Sequence, residues 1–171
     1  MLKSAISALT ATAILTSQSM AADWESSANM GAQGVNGATA SSHQDGLFDL
    51  RFVCSAREGE NRTIFMSLNT MPDAPLQLGN ETEYTVTMLY EFSDDSTKST
   101  DITVEWNREE NGGNVWYASF DLDPLFLRNF GQSETLQLLT FDDGLIFTYS
   151  MGGSAIAART LSEYCYSGNY S

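Results

Sequence analysis

From residue 48 the chain alternates apolar and polar side chains with a period of two, the mark of a half-buried β-strand. Phe48, Leu50, Phe52 and Cys54 interleave with Asp49, Arg51 and Val53, so Cys54 is expected to point inward. Past a turn at 57–61, Ile64, Met66 and Leu68 alternate with Thr63, Phe65 and Ser67, and the short connection makes a hairpin of the two runs. The 71–75 segment, with Pro72 and Pro75, reads as a crossing loop, because each proline lacks a donor and biases its predecessor to extended geometry. Tyr84, Val86, Met88, Tyr90 and Phe92 then share one face. After Asp94-Asp95-Ser96, the run Thr100, Ile102, Val104 and Trp106 returns beside them.

Asn111-Gly112-Gly113-Asn114 holds residues that accept positive φ in a tight hairpin, and Trp116, Ala118 and Phe120 follow on the inner face of a further strand. The period then changes. Asp123-Pro124 reads as an N-cap with proline in the first helical position, and the apolar run Leu125, Phe126, Leu127 and Phe130 is expected to end at a Gly131 C-cap. Leu136 and Leu138 lead through Asp143-Gly144 to Leu145, Phe147 and Tyr149, a closing hairpin. Ser154 is expected to cap a last helix that buries Ile156, Ala157, Thr160, Leu161, Tyr164 and Cys165. Residues 23–45 show little periodicity, so Trp24 is expected in the core and the remainder as surface loop.

The first 22 residues change the compartment. Lys3, an apolar stretch from Ala5 to Leu15 and the small residues around Ala21-Ala22 form a secretory signal peptide, too interrupted by Thr and Ser to span a bilayer. Eight Lys/Arg stand against 22 Asp/Glu, a formal charge of −14 over 171 residues. That excludes the clustered cations on which nucleic-acid and acidic-membrane binding depend. Solubility is the plain reading of the charge, and a basic partner the sharper one.

Cys54 and Cys165 are the only cysteines, and in an oxidising compartment one intramolecular pairing is open to them. It would close a loop of about 110 residues, for which chain entropy gives roughly 4–5 kcal/mol. A thiol nucleophile would need a base, and His43, the sole histidine, sits in a Ser/Gly/Asp-rich stretch. One histidine and two oxidised cysteines leave zinc and copper without ligands. Asp94-Asp95, Asp121-Leu122-Asp123 and Asp142-Asp143 could supply calcium with oxygens, but none has an EF-hand register, and as turn and cap residues they need no ion. Gly152-Gly153-Ser154 lacks the second glycine of a nucleophile elbow. Paired carboxylates for glycoside hydrolysis carry little signal among so many acids. The scattered methionines Met66, Met71, Met88 and Met151 read as core filling.

Trp24, the Leu50-Arg51-Phe52-Val53-Cys54 strand, Val115-Trp116-Tyr117 running into Asp123-Pro124-Leu125-Phe126, and the end from Leu145 through Gly152-Gly153-Ser154 to Cys165 carry a resemblance. In order and spacing they resemble small exported proteobacterial domains of the invasion-associated locus B type and accessory periplasmic proteins of type VI secretion. The resemblance implies a periplasmic β-rich accessory domain and the same Cys54–Cys165 pairing.

The expected fold is mainly β: an antiparallel β-sandwich or curled sheet with a short helix near 124–130 and a C-terminal helix near 154–165. Residues 1–22 are the signal peptide and 23–171 a single domain. The expected function is a non-enzymatic periplasmic or secreted binding domain that presents the 93–99 and 108–114 loops to a protein or envelope partner. An acidic lysozyme or protease inhibitor is one form of it; no cofactor, metal or nucleic acid is expected. The alternative is a carboxylate-dependent hydrolase of envelope polysaccharide. A lipocalin-like carrier would need a dry cavity, which the large inward residues Phe52, Tyr84, Tyr90, Trp106, Trp116 and Phe120 are expected to fill.

Overall fold

The structure is a computed structural model that describes residues 23–30, 36–43, 48–56, 63–70, 83–108, 114–140 and 144–166. The expected leader over 1–22, the expected turn at 57–61, the expected crossing loop at 71–75, residues 111–113 of the expected hairpin turn, and Asp142-Asp143 lie outside these, as do the side chains of Phe48 and Trp106. The described strands are β1 (Glu25–Met30), β2 (Asn36–Ser42), β3 (Phe48–Ala56), β4 (Thr63–Thr70), β5 (Glu83–Glu91), β6 (Thr97–Arg108), β7 (Asn114–Asp121), β8 (Thr135–Thr140) and β9 (Leu145–Ser150). They form one antiparallel sheet in the order β1-β2-β3-β4-β7-β6-β5-β8-β9. Helix α1 (Pro124–Gln132) carries the chain from β7 to β8, past β6 and β5. Helix α2 (Ser154–Leu161) follows β9 and continues as a π-helical turn, Ser162–Tyr166. The expected antiparallel β architecture with two helices is thus present.

The sheet curls around its apolar face. β3 and β9 stand six places apart, a span of about 29 Å in a flat sheet. Yet Phe52 of β3 and Tyr149 of β9 lie 5.8 and 6.1 Å from the Trp24 ring, so they are at most about 12 Å from each other. The enclosed space is filled by aromatic side chains. Trp24 meets Phe130 edge-on at 4.7 Å, and Phe126 packs against both Phe52 and Phe120. Met66, Met88 and Met151 are buried in the same core. The sheet ends meet at one corner, where the Trp24 amide donates to the Gly152 carbonyl at 2.9 Å and the Trp24 indole to Ser150 O at 3.0 Å.

Inward alternation holds as expected for Leu50-Phe52-Cys54, Ile64-Met66-Leu68 and Val86-Met88-Tyr90, all buried. Four local expectations are corrected. Residues 25–30 and 36–42, expected as loop, are strands. Their inward positions include Ala38, Ala40 and Ser42, small because α2 lies directly over β1 and β2, and no bulky alternation marks them. Gly131 does not end α1: the helix runs on to Gln132 with Ser133 as C-cap, and Gly131 lies where a Cβ would approach the Ala158 methyl to 2.9 Å. Gly153, at φ 89°, is the N-cap of α2 in place of Ser154, since that left-handed backbone favours glycine. The buried stripe of α2 is Ser154, Ala157, Ala158 and Leu161 running on to Cys165, while Ile156 is 58 % exposed. On β9, a bulge opposite Leu138/Leu139 turns Leu145 outward, leaving Phe147 and Tyr149 on the inner side.

Candidate functional site

Cys54 and Cys165 form the disulfide, with Cα atoms 6.2 Å apart and both residues buried. It staples the end of α2 to an inner strand. It holds structure and presents no thiol.

The other residues weighed for chemistry are not drawn together. His43 Nδ1 contacts Asp49 Oδ1 at 2.8 Å on the exterior, while Ser154 is buried in the first turn of α2. Asp123 caps α1, its Oδ1 accepting the Phe126 amide at 2.7 Å. It also adds to the effect of burial on Tyr90, whose phenol is held far above the ordinary tyrosine range, first by desolvation and then by this nearby carboxylate. Among the described residues no three His, Cys, Asp or Glu side chains are grouped to hold a metal ion.

What the fold does build is a cleft beside the β5–β6 turn. The Phe92 carbonyl accepts from the Asp95 amide, and the Phe92 amide donates to Ser96 O, both at 3.0 Å. Asp95, at φ 60°, takes the left-handed position of this compact turn, a conformation Asp tolerates better than most residues. Asp94 Oδ1 accepts from the Ser96 amide at 3.1 Å and the Ser96 hydroxyl at 2.5 Å. Those bonds, with the charge of Lys98 behind them, hold the Asp94 carboxyl below the usual aspartate range. The turn is therefore a preformed structure.

Helix α1 supplies the opposite wall because the chain is pinned immediately after it. The Glu134 amide donates to Glu91 O at 2.8 Å, and the Met151 amide to Glu134 O at 3.1 Å. The cleft between turn and helix measures about 460 Å3 and takes Lys98 from β6 and Arg128, Asn129 and Gln132 from α1. Asn129 is 5 % exposed and makes no side-chain hydrogen bond among the described residues, although it lines the cleft. Of the two loops expected to face a partner, the 93–99 turn forms this cleft; the centre of 108–114 lies outside the described residues. The contribution of α1 was not visible in the sequence. Its one trace is an asparagine, a poor helix former, next to the core residue Phe130.

Further hollows lie among the described residues. Behind the same turn, Glu91, Asp95 and Glu134 border one of about 220 Å3. Both Glu91 oxygens are engaged there, by Thr135 Oγ1 at 2.6 Å and Gln137 Nε2 at 3.0 Å. On the outer face of β4, β7 and β6, Phe65 and Tyr117, 53 % and 46 % exposed, flank a groove of about 320 Å3 with Glu105.

Comparison with protein-family models, with curated proteins and with solved structures found no match to this chain.

Proposed function

We propose that this chain is a non-enzymatic binding domain of the periplasm or the extracellular space, and that the cleft between the β5–β6 turn and α1 takes hold of a protein or envelope component. The observation that carries the reading is the cleft itself, where the Asn129 carboxamide, with no hydrogen bond among the described residues, lines one wall and the other wall is already rigid. A few convergent polar groups lining a concave site are what fix the orientation of a bound ligand. The disulfide supports export, since such bonds form and persist in oxidising compartments. The test is capture from an envelope extract by the disulfide-intact protein and by its Arg128→Glu variant. We expect a species held by the first and lost by the second; identical captures, or none above a blank resin, would refute the reading.

A second reading, hydrolysis of envelope polysaccharide by paired carboxylates, is favoured by the shared hollow of Asp95 and Glu134. Under the binding reading, purified protein releases no sugar from envelope polysaccharide. Release that disappears in both Asp95→Asn and Glu134→Gln would replace it.

A further inference from the structure

The charge inside the cleft runs against that of the chain. In a protein of formal charge −14, the cleft is walled by two cations, Lys98 and Arg128, and one carboxylate, Asp94. Arg128 is exposed and pairs with no carboxylate among the described residues. Gln132 stands four residues further along α1, on the same side of the helix. Beside them the Asn129 carboxamide lines the cleft, with no hydrogen bond among the described residues. Three neighbouring residues of one helix thus offer N–H donors, with a lysine across from them.

The opposite wall carries an acceptor. Both Ser96 hydrogen bonds fall on Asp94 Oδ1, which leaves Oδ2 for a ligand N–H. Donors on one wall, an acceptor on the other and the partly buried ring of Phe92 at the cleft fit one chemical unit: a carboxylate with an amide N–H close by and a small apolar side chain between. Resting on the binding reading above, we infer that the cleft receives the free α-carboxylate end of a peptide. The Arg128 guanidinium and the Asn129 and Gln132 amides hold the carboxylate, Lys98 balances its charge, and Asp94 accepts the last peptide N–H. A dianionic phosphate fits less well, because Asp94 and the acidic chain oppose its second charge. An exported protein's C-terminus and a cell-wall peptide share this chemistry and differ in the handedness of the terminal residue.

The experiment is an NMR titration of the disulfide-intact protein, following backbone amides, Asn and Gln side-chain amides and Arg Nε–H groups. The probes are N-acetyl-Ala-Ala with a free carboxylate, its C-terminal amide, the D-Ala-terminated acid and inorganic phosphate. Saturable shifts at Arg128, the Asn129 side chain and Ser96 are expected with a free acid and at least about tenfold weaker binding with the amide. Whichever of the L and D acids binds more tightly identifies the source. Arg128→Gln, at an exposed position, should weaken the acid about tenfold or more with an unchanged circular dichroism spectrum. Equal binding of acid and amide, phosphate binding as tight as the acid, or no saturable shift would overturn the inference. If the peptides fail while Arg128→Glu still abolishes capture from envelope extract, the ligand class is wrong and the binding reading stands; if both fail, both are wrong.

Discussion

Replacing Gly131 by alanine puts a methyl 2.9 Å from the Ala158 Cβ and 3.7 Å from the Ala155 Cα. Carbon atoms pack best at about 3.5–4.0 Å, so α1 and α2 must part by roughly half an ångström to one ångström. A methyl on a helix has no rotamer with which to move aside. α2 is also held, by Cys165 at its far end and by β1 and β2 beneath it. Overpacking of this kind costs about 1–3 kcal/mol, while alanine gains at most about 1 kcal/mol over glycine, and less at this penultimate position of α1. The clash wins. Gly131→Ala should lower stability by about 1 kcal/mol, or Tm by about 2–4 °C in a chain of this size. In an Ala158→Gly background the opposing methyl is gone, and the same substitution should stabilise by a few tenths of a kcal/mol up to about 1 kcal/mol. The assay is guanidinium unfolding of the four proteins of this double-mutant cycle with the disulfide intact. Stabilisation by Gly131→Ala in both backgrounds would refute the close helix contact.

Removing the disulfide by Cys54→Ala/Cys165→Ala should cost roughly 4–5 kcal/mol from unfolded-chain entropy, less any relief in the native state, and a loss under about 1 kcal/mol in denaturant unfolding would show that the staple contributes little. Asp123→Ala removes the acceptor for the Phe126 amide and should cost about 1 kcal/mol, read from the same unfolding curves. Tyr90 supplies an alkaline limit. Its folded pKa is raised, so its contribution is fully present below the unfolded tyrosine value of about 10 and is lost as pH climbs towards the folded value. Absorbance at 295 nm should therefore show Tyr90 ionising together with unfolding, and a Tyr90→Phe variant should lose less stability above pH 10; equal alkaline losses would contradict this.

Strands β3 to β7 were legible because each buries bulky residues on one side and polar ones on the other. Leu50-Phe52-Cys54 and Val86-Met88-Tyr90 give period two directly. β1 and β2 were not, because the inward positions beneath α2 are occupied by alanine and serine, which carry no hydrophobic signal of their own. The same close packing explains Gly131: glycine after a helical run reads as a terminus, and here it is the residue whose missing side chain admits a second helix. Ile156 departs from the expected phase of α2 because the alanines at 157 and 158, not the larger isoleucine, face the core. The disulfide could be read from the presence of two cysteines and the expectation of an oxidising compartment. The cleft could be read only by half: the 93–99 turn declares itself by Asp94-Asp95-Ser96, whereas Arg128, Asn129 and Gln132 reach it through the path of α1 across the sheet, a tertiary fact with no local signature.

The most direct measurement places a photoreactive residue at Ser93, on the rim of the cleft, in the full 171-residue chain, and irradiates intact cells. A discrete adduct at Ser93 that vanishes with Arg128→Glu, and no such adduct from Arg159 on α2, is the expected result. Adducts of equal yield at both positions, or an adduct at Ser93 indifferent to Arg128→Glu, would contradict recognition through this cleft.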